Sequence, residues 1–550
     1  MRNATRNTFL LGLFAFLTAT CARPDAAVYE PTWESLGDYE VPEWFMDDKF
    51  GLFMHWGPQS LAIDHNGWVA RHIYMQEGAD WGDDYNKHVE NYGHPSEFGY
   101  KDLIPLWKAE NWQPDSLVAF YKSVGIRYIM PVAVHHDNFD LYDSSHQPWN
   151  SVNMGPKRDV IGEWEQAARR HGLKFGVSSH NDRTWYWLHP AKGSDRSGPL
   201  KGVRYDGWLT EADGAGTWWE GYDPQDLYAV PDDEAYKSDG EYMSIGVTPP
   251  DSYRENWRLR TLELIDRYSP DLIWFDGPMP MRLHEGADAA DKARFEQTGL
   301  DVAAHFYNRN LERTGEPGIL NIKSWGPGTV VDSSAVVMDI EKGSLNRINP
   351  YYWQAETSIG SWFYNGTSGV ELPTQVIIHN LCDIVSKNGN LLLNVGLKPD
   401  GTLLPNERQT LVEIGQWLDV HGEGIYGTRA WKVFGQVDTE IVPGDFNQND
   451  RPMTARDIRY THKEGALYAF FMDWPESGDV RLDAVDEESL GRIEEVRLLG
   501  DERPLEWSLG GAGSDGDAAG GGHSGGLRVV LPDGIDAQHA YGLRIRYRES

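Results

Sequence analysis

Seven short apolar runs recur along the chain, each ending in polar or aromatic residues: "KFGLFMHWG" (49–57), "YIMPVAVHHDN" (128–138), "KFGVSSHND" (174–182), "DLIWFDG" (271–277), "GILNIKSW" (318–325), "AVVMDIE" (335–341) and "GNLLLNVG" (389–396). Their apolar residues are continuous rather than alternating, which marks strands buried on both faces, as in a parallel sheet. Helix-like stretches lie between them. "PDSLVAFYKSVG" precedes the second run, "IGEWEQAARRHG" precedes the third with Gly172 placed as a stop, and "ENWRLRTLELIDRYSP" precedes the fourth. Repeated β-α alternation over some four hundred residues predicts an α/β fold of the (β/α)8 barrel type.

After "IYGTRAWKVFG" the texture changes to short strands and turns, as in "IRYTHKEGALYAFFMDW" and "YGLRIRYRE", which predicts a C-terminal β-sandwich. The expected boundaries are 28–430 for the barrel and 431–550 for the sandwich. A glycine-rich stretch, "LGGAGSDGDAAGGGHSGG", reads as a flexible loop within the second domain.

Residues 1–22 read as an export signal, with Arg2 and Arg6 before an apolar run from Phe9 to Leu17. A periplasmic or extracellular location follows, and Cys21 is a candidate lipid attachment site. The only other cysteine, Cys382, leaves no disulfide framework, so stability must come from a large core. With 84 acidic and 50 basic residues the formal net charge is -34, a field that repels nucleic-acid backbones. No later segment is apolar and long enough to cross a bilayer. The 23 Trp and 26 Tyr supply faces that fill cores and stack on sugar rings.

In a (β/α) barrel the site is built where the strands end. His55, His135, His136, His180, Asp276, Lys323 and Glu341 all fall there. Asp276 and Glu341 facing each other across a barrel mouth are what glycoside cleavage requires, with Asp339 and Glu356 as competitors for the second role. The histidines suit either sugar hydroxyls or a metal ion. The adjacent pair His135-His136 would alternate faces on a straight strand, so both reach one site only if the strand end bends. A binding protein that keeps the cleft without the chemistry is a third reading.

The combination of "KFGLFMHWGPQSL", "HHDNFDLYDS", "NMGPKRDVIGEWEQAARRHGLKFGVSSH", "DLIWFDG", "DIVSKNGNLLLNVGLKPDGTL" and "IGQWLDVHGEGIYGTRAW" resembles the α-L-fucosidases of glycoside hydrolase family 29. The resemblance spans roughly Trp44 to Trp431. It implies a retaining exo-hydrolase, needing no cofactor or metal, that releases terminal L-fucose from fucosylated oligosaccharides or polysaccharides. By it, Asp276 is the nucleophile, and Glu341, spaced before Trp353 as in the family, is the acid/base in preference to Glu356. His55, His135 and His136 would bind fucose hydroxyls, and Trp68 would meet the sugar near its methyl group. His180, Lys323 and Trp353 complete the expected binding set, and Tyr351, Tyr352 and Trp353 are expected to bury Glu341 in part.

Three departures stand out. Gly67 occupies a position where the family often has Glu, Ser178 or Ser179 one where it often has Tyr, and Lys323 one where it often has Arg. His180 or Trp185 is expected to replace lost contacts. L-galactose, which differs at C5, is the related sugar to consider.

Overall fold

The computed structural model describes residues 28–61, 67–77, 83–231, 248–279, 281, 283, 286–323, 334–366, 371–510, 526–536 and 538–548. The export signal, Cys21 and nearly all of the glycine-rich stretch lie outside them.

Eight parallel strands close into a barrel: β1 (Phe50–His55), β2 (Tyr128–Val134), β3 (Lys174–Ser179), β4 (Leu272–Phe275), β5 (Ile319–Lys323), β6 (Val337–Glu341), β7 (Trp353–Ser358) and β8 (Gly389–Gly396). They follow chain order around the ring, and β1 closes it on β8 from Phe50–Leu391 to His55–Gly396. The seven apolar runs became β1 to β6 and β8. β7, "WQAETS", is the addition: it is fully buried yet mostly polar.

Part of that polarity is paired inside the barrel. Gln354 accepts from the Tyr128 hydroxyl at 3.0 Å and donates to Asp339 at 2.5 Å. Room for Tyr128 comes from Gly51, where a Cβ would stand 2.1 Å from the tyrosine ring. A buried polar layer that pairs its own members avoids the desolvation cost of orphaned groups.

The helices form as their sequences dictate. Val160–His171 starts on Asp159, which accepts from the Gly162 amide, and stops at Gly172 with φ 69°. Asp251–Tyr268 precedes β4 and packs against Ala289–Thr314, and Pro405–His421 follows β8. The long insert after β3 folds as short helical turns, among them Thr184–Trp187 and Pro224–Tyr228, rather than as plain loop.

The remainder forms two antiparallel sheets around a separate core. β9 (Arg429–Gln436), β10 (Ile458–Lys463), β11 (Ala466–Phe471), β12 (Asp479–Leu482), β13 (Arg492–Leu498), β14 (Trp507–Leu509), β15 (Leu527–Val530) and β16 (Tyr541–Arg548) arrange as β13-β16-β11-β10-β9 and β12-β15-β14. The two domains are joined by a buried ion pair, Arg459 on β10 to Asp383 at 2.6 Å, and Lys387 of the barrel domain shares the same carboxylate at 2.5 Å. Cys382, beside Asp383, is buried and unpaired, a small core residue. Among the described residues no helix is long and apolar enough to cross a membrane.

Candidate active site

At the C-terminal ends of the strands one ammonium gathers three acids. Lys323 Nζ, from the last residue of β5, lies 2.9 Å from Asp276 Oδ1, 2.8 Å from Glu341 Oε2 and 2.5 Å from Glu356 Oε1. It also sits over the Trp274 ring, 4.8 Å from its centroid. Two bonds to a single nitrogen cap the gap between the Asp276 and Glu341 oxygens at their sum, about 5.7 Å.

The four acids differ in their surroundings. Asp276 follows β4 directly, ahead of Gly277 at φ 143°, and its side chain keeps 13% of its surface open. Burial alone would raise its carboxyl. The Lys323 charge, then hydrogen bonds from His136 and His180, outweigh burial and hold it well below the usual range. Glu341 ends β6 with 11% of its side chain open, whereas Glu356 is 1% exposed and Asp339 lies deeper on Gln354. Burial pushes Asp339 up to about 7 and Glu356 well above its ordinary value, against the pull of Lys323 on Glu356. Protons therefore rest on the two enclosed acids. Lys323 itself stays charged, because Asp276 and Glu341 beside it more than offset its burial.

The four histidines surround Asp276. His136 Nε2 is 3.2 Å from Asp276 Oδ2, and His180 Nδ1 is 3.5 Å from the same atom. His135 and His136 both face this space, with ring centroids 4.5 Å apart, because β2 ends at Val134 with a register shift against β3 and Asn138 turns at φ 61°. The strand end does bend. His55 is set by Asn394 of β8, whose amide oxygen takes the His55 backbone amide at 3.2 Å and its Nδ1–H at 2.8 Å. Asn394 is oriented in turn by donating to Ser358 Oγ and to the Trp362 carbonyl. His55 Nε2 is then an acceptor. His135 Nδ1 faces the Gln59 amide nitrogen at 3.0 Å, which leaves His135 Nε2 as a donor.

Burial keeps His55, His135 and His180 neutral: the first two fall well below the usual imidazole range, and His180 falls to about 4 despite its Asp276 neighbour. Ligand atoms of His55, His135 and His180 lie within 4.8 Å of one another, as do those of His136, His180 and Asp276. Phe363 and Trp362 wall one side, 5.4 and 5.2 Å from the His55 ring.

Two expected residues belong elsewhere. Trp353 opens β7 rather than ending it, packs under Gly389 and donates to the Lys387 carbonyl at 2.9 Å, so it stands at the far end of the barrel from Asp276. Tyr352 lies there too, with Lys49 over its ring, and Tyr351 is 47% exposed. These three therefore do not enclose Glu341. Trp68 is half-buried, 5.2 Å from Trp187, which lies 5.4 Å from His136, so it flanks the site at one remove.

The departures from the family pattern have physical causes. A Cβ on Gly67 would meet the Phe363 ring at 2.8 Å, so Phe363 fills that space. Ser178 Oγ lies 3.1 Å from His180 Nε2, and Ser179 bonds Asn181. Trp185 is buried against Tyr186. Arg183, unforeseen from the sequence, donates to the Asp276 carbonyl at 3.2 Å and brings a guanidinium nitrogen 3.7 Å from its Oδ2. Asn394 was also missed, though an amide inside the apolar run "NLLLNVG" was a visible signal.

Comparison with known proteins agrees with this fold. The chain is 28% identical over 499 residues to the human plasma α-L-fucosidase, covering 88% of this chain and 87% of that protein. It is 27% identical to the rat tissue α-L-fucosidase, covering 90% of each. The structure superposes on a Thermotoga maritima α-L-fucosynthase with a TM-score of 0.63 at 25% identity, covering 94% of this chain and 99% of that one. A model of the α-L-fucosidase C-terminal domain matches residues 448–546. The α-L-fucosidase family model matches residues 16–423, most of the barrel included, and the chain therefore belongs to the α-L-fucosidase family of glycoside hydrolases.

Proposed function

We propose that the protein is a retaining, exo-acting hydrolase of terminal α-L-fucosyl linkages, working by double displacement with Asp276 as nucleophile and Glu341 as acid/base. The carrying observation is the shared Lys323 ammonium, which keeps the two acids within about 5.7 Å, spanning the ~5–5.5 Å separation of retaining glycosidases.

In the first step an Asp276 oxygen attacks C1 and the C1–O bond breaks, its electrons leaving with the aglycone oxygen. Glu341 gives that oxygen its proton. Lys323, Arg183 and His136 keep Asp276 ionised and aimed, so attack needs no prior deprotonation. In the second step Glu341, now a carboxylate, takes a proton from water as the water oxygen attacks C1, and Asp276 leaves. Glu341 suits this role better than Glu356 because the latter is sealed from solvent.

His55 as acceptor and His135 as donor match hydroxyls, which do both. His136 and His180 border the nucleophile, and Trp68 lies behind them. Phe363 and Trp362 give an apolar wall that favours a methyl at C5 over the hydroxymethyl of L-galactose. Such a wall discriminates by roughly 10–200-fold, so an α-L-galactoside remains the second substrate to assay. The basic, then apolar N-terminus supports export to the periplasm or cell exterior, where fucosylated glycans would be met.

Asp276→Ala is expected to abolish turnover of an aryl α-L-fucoside. Azide added to Glu341→Ala should restore turnover and give a fucosyl azide of retained configuration. A near-normal rate in Asp276→Ala overturns the scheme.

The clustered imidazoles also favour a metal-dependent barrel hydrolase as a second reading. It requires the Gln59 amide to turn, so that its oxygen accepts from His135 Nδ1 and frees Nε2 as a ligand. Loss of activity on chelation, restored by one divalent cation, would select it.

A further inference from the structure

We infer that Asp445, on the 437–457 connection between β9 and β10, is a positioning residue for Glu341, so that the second domain helps to build the catalytic centre. This rests on the acid/base reading of Glu341.

Among the described residues, the partners of the Glu341 backbone amide and carbonyl come from outside the barrel ladder. The ladder between β5 and β6 ends at Lys323–Asp339, while that between β6 and β7 runs on to Glu341–Glu356. The second domain supplies these partners. Asp445 Oδ1 accepts the Glu341 amide at 2.9 Å, and the Glu341 carbonyl accepts the Phe446 amide at 2.8 Å. Gln448 donates to the Lys342 carbonyl at 2.8 Å, and Gly444 donates to the Ser344 carbonyl at 3.0 Å. The strand end thus gains a short stitched partner contributed about a hundred residues later.

The local backbone is shaped for that approach. Lys342 and Phe446 adopt φ of 42° and 58°, left-handed values that non-glycine residues hold only when surroundings fix them. A Cβ on Gly343 would stand 2.4 Å from the Gly444 carbonyl oxygen, so the two chains touch where no side chain fits.

A second tie holds the same turn from behind. Ser344 Oγ donates to Asp383 Oδ2 at 2.8 Å, and Asp383 is the acid that binds Arg459 of β10. The connection is therefore fastened to the Glu341 turn both at its middle and through the strand that follows it. Acid catalysis depends on placing a proton within hydrogen-bond reach of the departing oxygen. A strand end freed to drift weakens that step before it weakens attack by Asp276, which sits on another strand.

The test is a series of aryl α-L-fucosides from dinitrophenyl to phenyl, read as kcat/KM on the full chain. Dinitrophenolate leaves without a proton, whereas phenolate needs one. Asp445→Ala should lower kcat/KM for the phenyl fucoside about ten-fold and leave the dinitrophenyl fucoside nearly unchanged. Asp445→Asn, which keeps an acceptor oxygen, should stay near the unmodified enzyme. Should the alanine variant fail to fold, Asp445→Leu, close in size but without an acceptor, is read in the same way.

Equal losses on both substrates, or none on either, overturn the inference. Glu341→Ala serves as the reference. If it shows the leaving-group dependence and the Asp445 variants do not, this inference alone fails. If Glu341→Ala shows none, the acid/base reading falls first.

Discussion

Gly67 lies so close to the Phe363 ring that a Cβ on it would stand 2.8 Å from Cδ2. The contact explains why a carboxylate common in related enzymes has no room here, since the ring holds the space beside His135. Gly67→Glu alone should lower kcat/KM for an aryl fucoside by at least about ten-fold through overpacking. Gly67→Glu combined with Phe363→Ala should recover part of the loss. Additive losses in the double variant would show that the two positions do not share that space.

Removing the central cation should be costly. Lys323→Met leaves Asp276, Glu341 and Glu356 facing one another without it. The loss of one partner from a buried ion cluster typically costs about 3–5 kcal/mol. The melting temperature should fall, kcat/KM should drop by two orders of magnitude or more, and the acid limb of the pH profile should move upward as Asp276 loses its counter-charge. Lys323→Arg keeps the charge and should retain most of the stability.

Glu356 and Glu341 should respond oppositely to amidation. Glu356 is enclosed and protonated, so Glu356→Gln replaces one neutral group with another and should cost less than about 1.5 kcal/mol in stability, with kcat within roughly ten-fold. Glu341→Gln removes the transferable proton and should cost about 10²–10⁴-fold on a phenyl fucoside. A reversal of this order would move the acid/base role to Glu356.

Acidification acts on the buried imidazoles. His180 takes its proton near pH 4 in the folded chain and near 6.5 when unfolded, because burial disfavours the charged ring. The unfolded chain thus binds more protons between those values, and stability falls as pH drops through that window, by on the order of 3 kcal/mol from this ring. The urea midpoint should decline from pH 6.5 to 4, and less steeply in His180→Gln. Activity should keep its plateau from pH 6 to about 5, because His180 titrates near 4 and Asp276 well below the usual carboxylate range.

The sequence was most readable where burial is apolar. β1 to β6 and β8 announced themselves as hydrophobic runs, and Asp276 stood out as a lone acid after one of them. β7 was silent because its inward residues, Gln354 and Glu356, are polar and satisfied only by Tyr128, Asp339 and Lys323, which lie far away in the chain. Trp353 was misplaced because spacing to Glu341 does not reveal at which end of a strand a residue stands. Arg183 lay in an insert with no periodicity, and Asp445 acts through a backbone contact that no pattern in either segment announces.

His55 depends on Asn394, and those two residues come from the first and the last staves of the ring. Synthesis therefore completes the setting of His55 only when residue 394 has emerged, so a polypeptide released early carries an unsealed sheet margin and an imidazole with no fixed tautomer. A fragment ending before residue 394 is expected to be inactive, and any attempt to split or permute the enzyme must keep that seam whole.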